Sequence, residues 1–251
     1  MIDFQDISVY DFPVQVVAHE QRVVDFNRTI AYTKTYNVKS PKKITIVKPQ
    51  TNTISPQVNH SVQKLQNGSV LEKKQTLLNI MQALETKSAA QYLDASVTDA
   101  LFAIVDEDIS SLKDASCAQK CLRKKIKEGK KYSERKTAKA LALSEKEQAE
   151  NNKVMALYTV AQIQNVLFTE LDKRSGLKAS FSDMPASKKL LDEIQNNPDN
   201  NIKGVAVAAL YKMYRPEFKK DLVPVFEKYS KSSIKEVKES ASKSLKLINA
   251  K

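Results

Sequence analysis

Tryptophan is absent from this chain, and glycine occurs at only 4 positions, cysteine at 2 and histidine at 2. So little glycine leaves no Gly-rich loop to cradle a phosphate, and neither a Ser-centred elbow nor a metal-binding His–Glu pair occurs. Two cysteines in 251 residues do not make a disulfide framework. A catalytic imidazole needs a rigid partner within hydrogen-bond reach, and neither His19 nor His60 has one nearby in the sequence. Long hydrophobic runs are missing too, so no stretch is expected to cross a bilayer. The chain opens on acids (Asp3, Asp6, Asp11) instead of a charged, then apolar, then small-residue leader. These absences give the expectation of a cytoplasmic, non-enzymatic protein with no cofactor, no metal site and no membrane association.

What is present is helix-forming: Ala and Leu are plentiful, and Lys and Glu dominate the charges. The net charge of +12 suits an acidic protein partner or nucleic acid, and equally serves solubility. The all-α expectation starts after residue 60. Residues 1–60 hold 4 of the 8 prolines, with short β-like runs at Val14–Val17 and Lys43–Lys48. Lone strands have no sheet to join, so this stretch is expected to be an extended N-terminal arm, or a tail that folds onto a partner. Helical pattern begins near Val62 and breaks at Asn67-Gly68. It resumes over 71–84 with Leu77, Leu78, Met81 and Leu84, then over 92–105 with Val97, Leu101 and Ile104 on one face. Further helices are predicted over 109–127, with Gly129 just past its end, over 133–150, and over 153–171. The last is apolar on two sides (Val154, Leu157, Ala161 and Leu171; Val160, Ile163 and Leu167), which predicts burial between neighbours. A loop is expected over 174–184.

A unit then repeats. Ile202, Ala206, Ala209, Leu210 and Met213 recur 35 positions later as Val237, Ala241, Ser244, Leu245 and Ile248. The spacing i, i+4, i+7, i+8, i+11 lines one face of a helix, and the small central residues let a neighbouring helix come close.

The stretch 186–249 resembles HEAT repeats. Leu222-Val223-Pro224-Val225-Phe226 is similar to the first helix of such a unit, with its interior proline, and Val237 to Ile248 to the second. Leu190-Leu191 to Ile194, an Asn-Pro-Asp-Asn turn, and Ile202 to Leu210 repeat the scheme. The period is near that of tetratricopeptide repeats, but the helix-interior Pro and the lack of a Trp or Gly-Tyr signature favour HEAT. Asn197 and Ser232 stand where the family usually carries an Asp, and Lys203 and Lys238 where it carries an Arg. Lys cannot fork two hydrogen bonds as Arg does, so the repeats should be irregular. The resemblance implies a right-handed α-solenoid over 61–251, diverged over 61–173.

The strongest polar signal is Lys113 to Lys139, with eleven Lys or Arg against three acids. On a helical wheel Leu112, Ala115, Ala118, Leu122 and Ile126 form an inner arc. Lys113, Lys120, Arg123, Lys124, Lys127 and Lys131 form an outer stripe that could track phosphates or simply face solvent. No aromatic lies between Phe102 and Tyr132 to stack on bases. Cys117 and Cys121, at i and i+4, offer at most two zinc ligands or a redox pair, and otherwise pack the helix. Glu145, Glu147 and Glu150 alternate with Lys and read as a solvated face. The leading functional expectation is a protein–protein interaction scaffold, with Tyr211, Tyr214 and Phe218 as partner anchors or as core residues. The alternative is sequence-independent nucleic-acid binding through the stripe, with Lys120, Lys124, Lys127 and Lys131 as its contacts.

Overall fold

A proline opens the first helix among the described residues. The computed structural model describes residues 55–86, 88–175, 181 and 184–250. In α1 (Pro56–Asn67) the Ser55 hydroxyl accepts from Val58 N at 3.3 Å, and Pro56 sits in the first turn, where no backbone donor is required. Gly68 N donates to Lys64 O at 3.0 Å and ends it. Ser69 then starts α2 (Val70–Leu84) with reciprocal bonds: Glu72 N to Ser69 Oγ at 3.3 Å, and Ser69 N to Glu72 Oε2 at 2.9 Å. A 3-10 turn at Ala89–Tyr92 leads to α3 (Ala95–Asp106), capped by Asp94. Helices α4 (Cys117–Lys127) and α5 (Glu134–Leu141) are short. Helix α6 (Glu145–Ser175) has 31 residues and is about 46 Å long at 1.5 Å per residue. Then come α7 (Pro185–Asn196), α8 (Asn200–Lys212), a 3-10 turn at Pro216–Phe218, α9 (Lys219–Ser230) and α10 (Lys235–Asn249). Among the described residues all regular structure is helical, in ten α-helices, and none is long and apolar enough to cross a membrane.

Helix α6 is the spine. It packs on α2 and α3 towards one end of the chain and on α7 and α8 towards the other. Val154, Leu157, Val160, Ala161, Ile163 and Leu167 are all buried, as apolarity on two sides predicts, while the side chain of Leu171, expected with them, lies outside those described. One apolar cluster runs from Val58 in α1 to Ile248 in α10. At the C-terminal end α8 touches α6, α7, α9 and α10, and the run Gly204, Val205, Ala206, Val207 is consequently buried all round. Ile202, Ala206, Ala209, Leu210 and Met213 are buried, and so are their counterparts Val237, Ala241, Ser244 and Ile248, while Leu245 is half-buried. Gly204 marks a close approach of α8 to α10. A Cβ there would lie 2.9 Å from Glu236 Cβ and 3.0 Å from the Glu236 backbone.

Several boundaries differ from the sequence reading. Residues 1–54, with His19 and both β-like runs, lie outside the described residues, but 56–60 are helical and Val58 is 1% exposed. Residues 56–60 are therefore helix and not arm, because Ser55-Pro56 is a helix start. In α2 the buried face is Lys73, Thr76, Leu77, Ile80 and Leu84, whereas Leu78 is exposed. Lys73 can be buried because its ammonium meets Glu107 at 2.7 Å. The helix expected over 109–127 starts only at Cys117. Asp108 and Asp114 take up the backbone donors of Ser110 and Ala115, a local competitor to helix, and the Ser116 hydroxyl then accepts from Gln119 N as the cap that starts α4. The helix expected over 133–150 is broken at 142–144, where Ser144 and Glu147 exchange capping bonds and start α6 afresh. Helix α6 also continues to Ser175, into the expected loop.

Candidate functional site

The basic stretch forms a two-helix projection. Helix α4 buries none of its residues and packs on α5, whose Ala140 is buried. Gly129 ends α4 with φ +83°, donating to Ile126 O at 2.9 Å while Lys130 N reaches Lys125 O at 3.0 Å. That paired closure is the one a left-handed glycine after a helix makes, and it turns the chain into α5. Leu122 and Ile126 are half-buried, and Ala115 is buried, as the inner arc predicts; Ala118 is exposed.

The outer stripe is less uniform than the wheel suggests. Lys124, Lys127 and Lys131 are exposed. Lys120 is exposed too but lies 2.7 Å from Asp114, which holds the Asp114 carboxyl below its ordinary range. Arg123 does not belong to the stripe. Its guanidinium is 19% exposed and donates to Ala140 O, Ala142 O and both oxygens of Glu147. Gln119 adds bonds to Lys139 O, Ala140 O and Ala142 O. Together they clasp the projection to the start of α6. The Arg123 bonds and those from Ser144, against an opposing burial effect, lower the Glu147 pKa to about 2. Glu147 is thus a structural anion and not the solvated one expected, and burial raises the pKa of half-buried Glu150. The Arg123–Glu147 pair spans 24 residues, which helical periodicity cannot register.

The expected aromatic anchors divide. Phe218 is 2% exposed, packed edge-on against Phe168 at 4.8 Å and Phe181 at 5.9 Å between ring centroids. It is a core residue and offers no surface to a partner. The Arg215 guanidinium covers the other ring, Phe168, at 4.2 Å. Tyr211 and Tyr214 are half-buried and stacked, with centroids 6.4 Å apart and planes 10° from parallel. Burial is the main cause of the raised Tyr211 pKa.

Cys117 and Cys121 are free and exposed, so neither packs the helix. Among the described residues no group of three or more His, Cys, Asp or Glu is placed to hold a metal ion. His60 lies exposed in α1. A surface depression of about 650 Å³ on α10 is lined by Ser232, Lys235, Lys238, Ser242 and Lys246, among others. One buried carboxyl stands out: Glu193 in α7 accepts from Asn197 Nδ2 at 2.7 Å, and burial, with Asp106 of α3 adding to it, raises its pKa. No protein-family model, curated protein or solved structure matches the chain.

Proposed function

We propose that this chain is a non-enzymatic scaffold that binds another protein, built as a short right-handed solenoid of irregular HEAT-like helix pairs. The observation that carries the reading is the register of α8 on α10. In support of it, residues 35 apart are buried in α8 and α10, which pack on each other, α7 packs on α8 and α9 on α10, and α8 also packs on α6. Helices that stack in this way form a quasi-one-dimensional array, whose exposed side is a long binding surface. Pro224 lies inside α9, at the place the resemblance assigns it. Lys203 donates to Gln195 O at 3.0 Å, joining α8 to α7 with a single bond where a forked Arg would make two.

On this reading the stacked, half-buried Tyr211 and Tyr214 at the end of α8 are the anchors, since rigid aromatic side chains lose little freedom on binding. The test is capture of partners by the immobilised full chain, compared with a Tyr211→Ala/Tyr214→Ala variant of matched circular dichroism. A protein retained by the first and lost from the second is expected. An identical set of captured proteins on both would refute the role of these two rings.

A further inference from the structure

The α4–α5 projection carries charge that the fold does not use. Between Cys117 and Leu141 stand ten basic residues and two acids, Glu128 and Glu134. Two of the ten are engaged: Lys120 with Asp114, and Arg123 with Glu147. The other eight, Lys124, Lys125, Lys127, Lys130, Lys131, Arg135, Lys136 and Lys139, are all exposed, and among the described residues none forms an ion pair with a carboxylate. They flank the α4–α5 turn, from Lys124 beside Arg123 on one helix to Lys139 beside Ala140 on the other, and their side chains stay exposed while the Arg123 clasp fixes the base of the projection. Six of these charges stand on the two short helices and Lys130 and Lys131 on the turn between them, and their mutual repulsion is relieved when a polyanion neutralises them.

We propose that the α4–α5 projection binds the phosphate backbone of double-stranded nucleic acid without reading its sequence. Three observations select this polyanion. Seven of the eight cations are Lys, compact point charges suited to phosphate oxygens and not to bidentate base edges. The projection's one aromatic, Tyr132, is half-buried with the Lys136 ammonium 4.9 Å from its ring centre, so bases have no free face on which to stack. That disfavours single strands, which need such platforms. The exposed leucines nearest in the chain, Leu141 and Leu143, lie at the clasped base and not at the charged turn, so there is no apolar wedge where a membrane surface would meet the cations. Helix α4 is about 16 Å long, which spans roughly five base pairs of duplex at 3.4 Å each.

The experiment measures binding of the full chain to a 24-base-pair DNA duplex, the matching single strand, and phosphatidylserine vesicles, across a salt series. Duplex binding should show a log–log salt slope of about −5 to −7, because each neutralised phosphate contributes ~0.9. It should be the tightest of the three and indifferent to base sequence. Changing Lys124, Lys127, Lys131 and Lys139 to Gln should flatten the slope by about 3 to 4 and weaken binding at 0.1 M salt by at least about a hundredfold. The same number of changes at the other end of the chain, at Lys231 after α9 and at Lys238, Lys243 and Lys246 of α10, lowers the net charge equally and should leave the duplex affinity within about threefold, because those residues lie outside the projection. Equal losses from both quadruple variants, preference for the single strand or the vesicle, or a slope near zero would each overturn the proposal.

Discussion

Replacing Gly204 by Ala sets two known effects against each other. In a helix interior Ala is favoured over Gly by about 1 kcal/mol, so helix propensity alone makes the change stabilising. The new methyl, however, would stand 2.9 Å from Glu236 Cβ and 3.0 Å from the Glu236 carbonyl carbon and oxygen. Ordinary carbon–carbon contact is about 3.5–4.0 Å, so α8 and α10 must separate by about half an ångström or more. Two of the three nearest atoms are backbone and cannot rotate away. Relieving that overlap means moving α10 against α8, two packed helices whose small residues Ala206, Ala209, Ala241 and Ser244 are all buried. Overpacking of this kind costs about 1–3 kcal/mol. Because two of the close contacts are with backbone that cannot yield, the cost belongs in the upper part of that range, about 2–3 kcal/mol, and Gly204→Ala should lose about 1–2 kcal/mol net. At about 2–4 °C per kcal/mol for a chain of this size, the melting temperature read by circular dichroism should fall by about 2–8 °C. Glu236→Ala should not rescue it, since the backbone contacts remain. A melting temperature for Gly204→Ala equal to or above that of the unchanged protein would refute the close approach of α8 to α10.

The other expectations concern charge and the repeat core. The Glu147 carboxyl titrates near 2 in the fold against an ordinary 4.5, so its contribution to stability is complete above about pH 4.5 and is lost as the pH falls towards 2; Glu147→Gln should flatten that acid limb of a denaturation–pH profile. Glu193 behaves oppositely. Its raised pKa means that the folded state holds the proton longer than the unfolded one, so its contribution declines as the pH rises above the ordinary carboxylate range, and Glu193→Gln should raise the denaturation midpoint more at pH 8 than at pH 5. Leu210→Asp should unfold the C-terminal helices by burying an unpaired charge at a fully buried site, whereas Leu245→Asp, at a half-buried one, should leave a measurable melt; equal losses would contradict the different burial of the two positions.

Local sequence was enough for features whose cause is local. Helical class follows from the scarcity of Gly and the abundance of Ala, Leu, Lys and Glu. The Gly129 terminus follows from the freedom of glycine at positive φ. The face of Val97, Leu101 and Ile104, and the 35-residue correspondence of α8 with α10, follow from the 3.6-residue period of the helix. Periodicity reports that a face is apolar, but not what will meet it. Lys73 can be buried because Glu107, 34 residues on, is there to neutralise the ammonium. Arg123 leaves the basic stripe because Glu147 and two carbonyls at the end of α5 converge on it. Phe218 is lost to the surface because Phe168 and Phe181 close around it. Gly204 reads as a mild fault in a helix until Glu236, 32 residues later, is laid against it. Each of these outcomes depends on a partner distant in the chain, and such partners are brought together only by the packing of whole helices, which no window of a few turns contains.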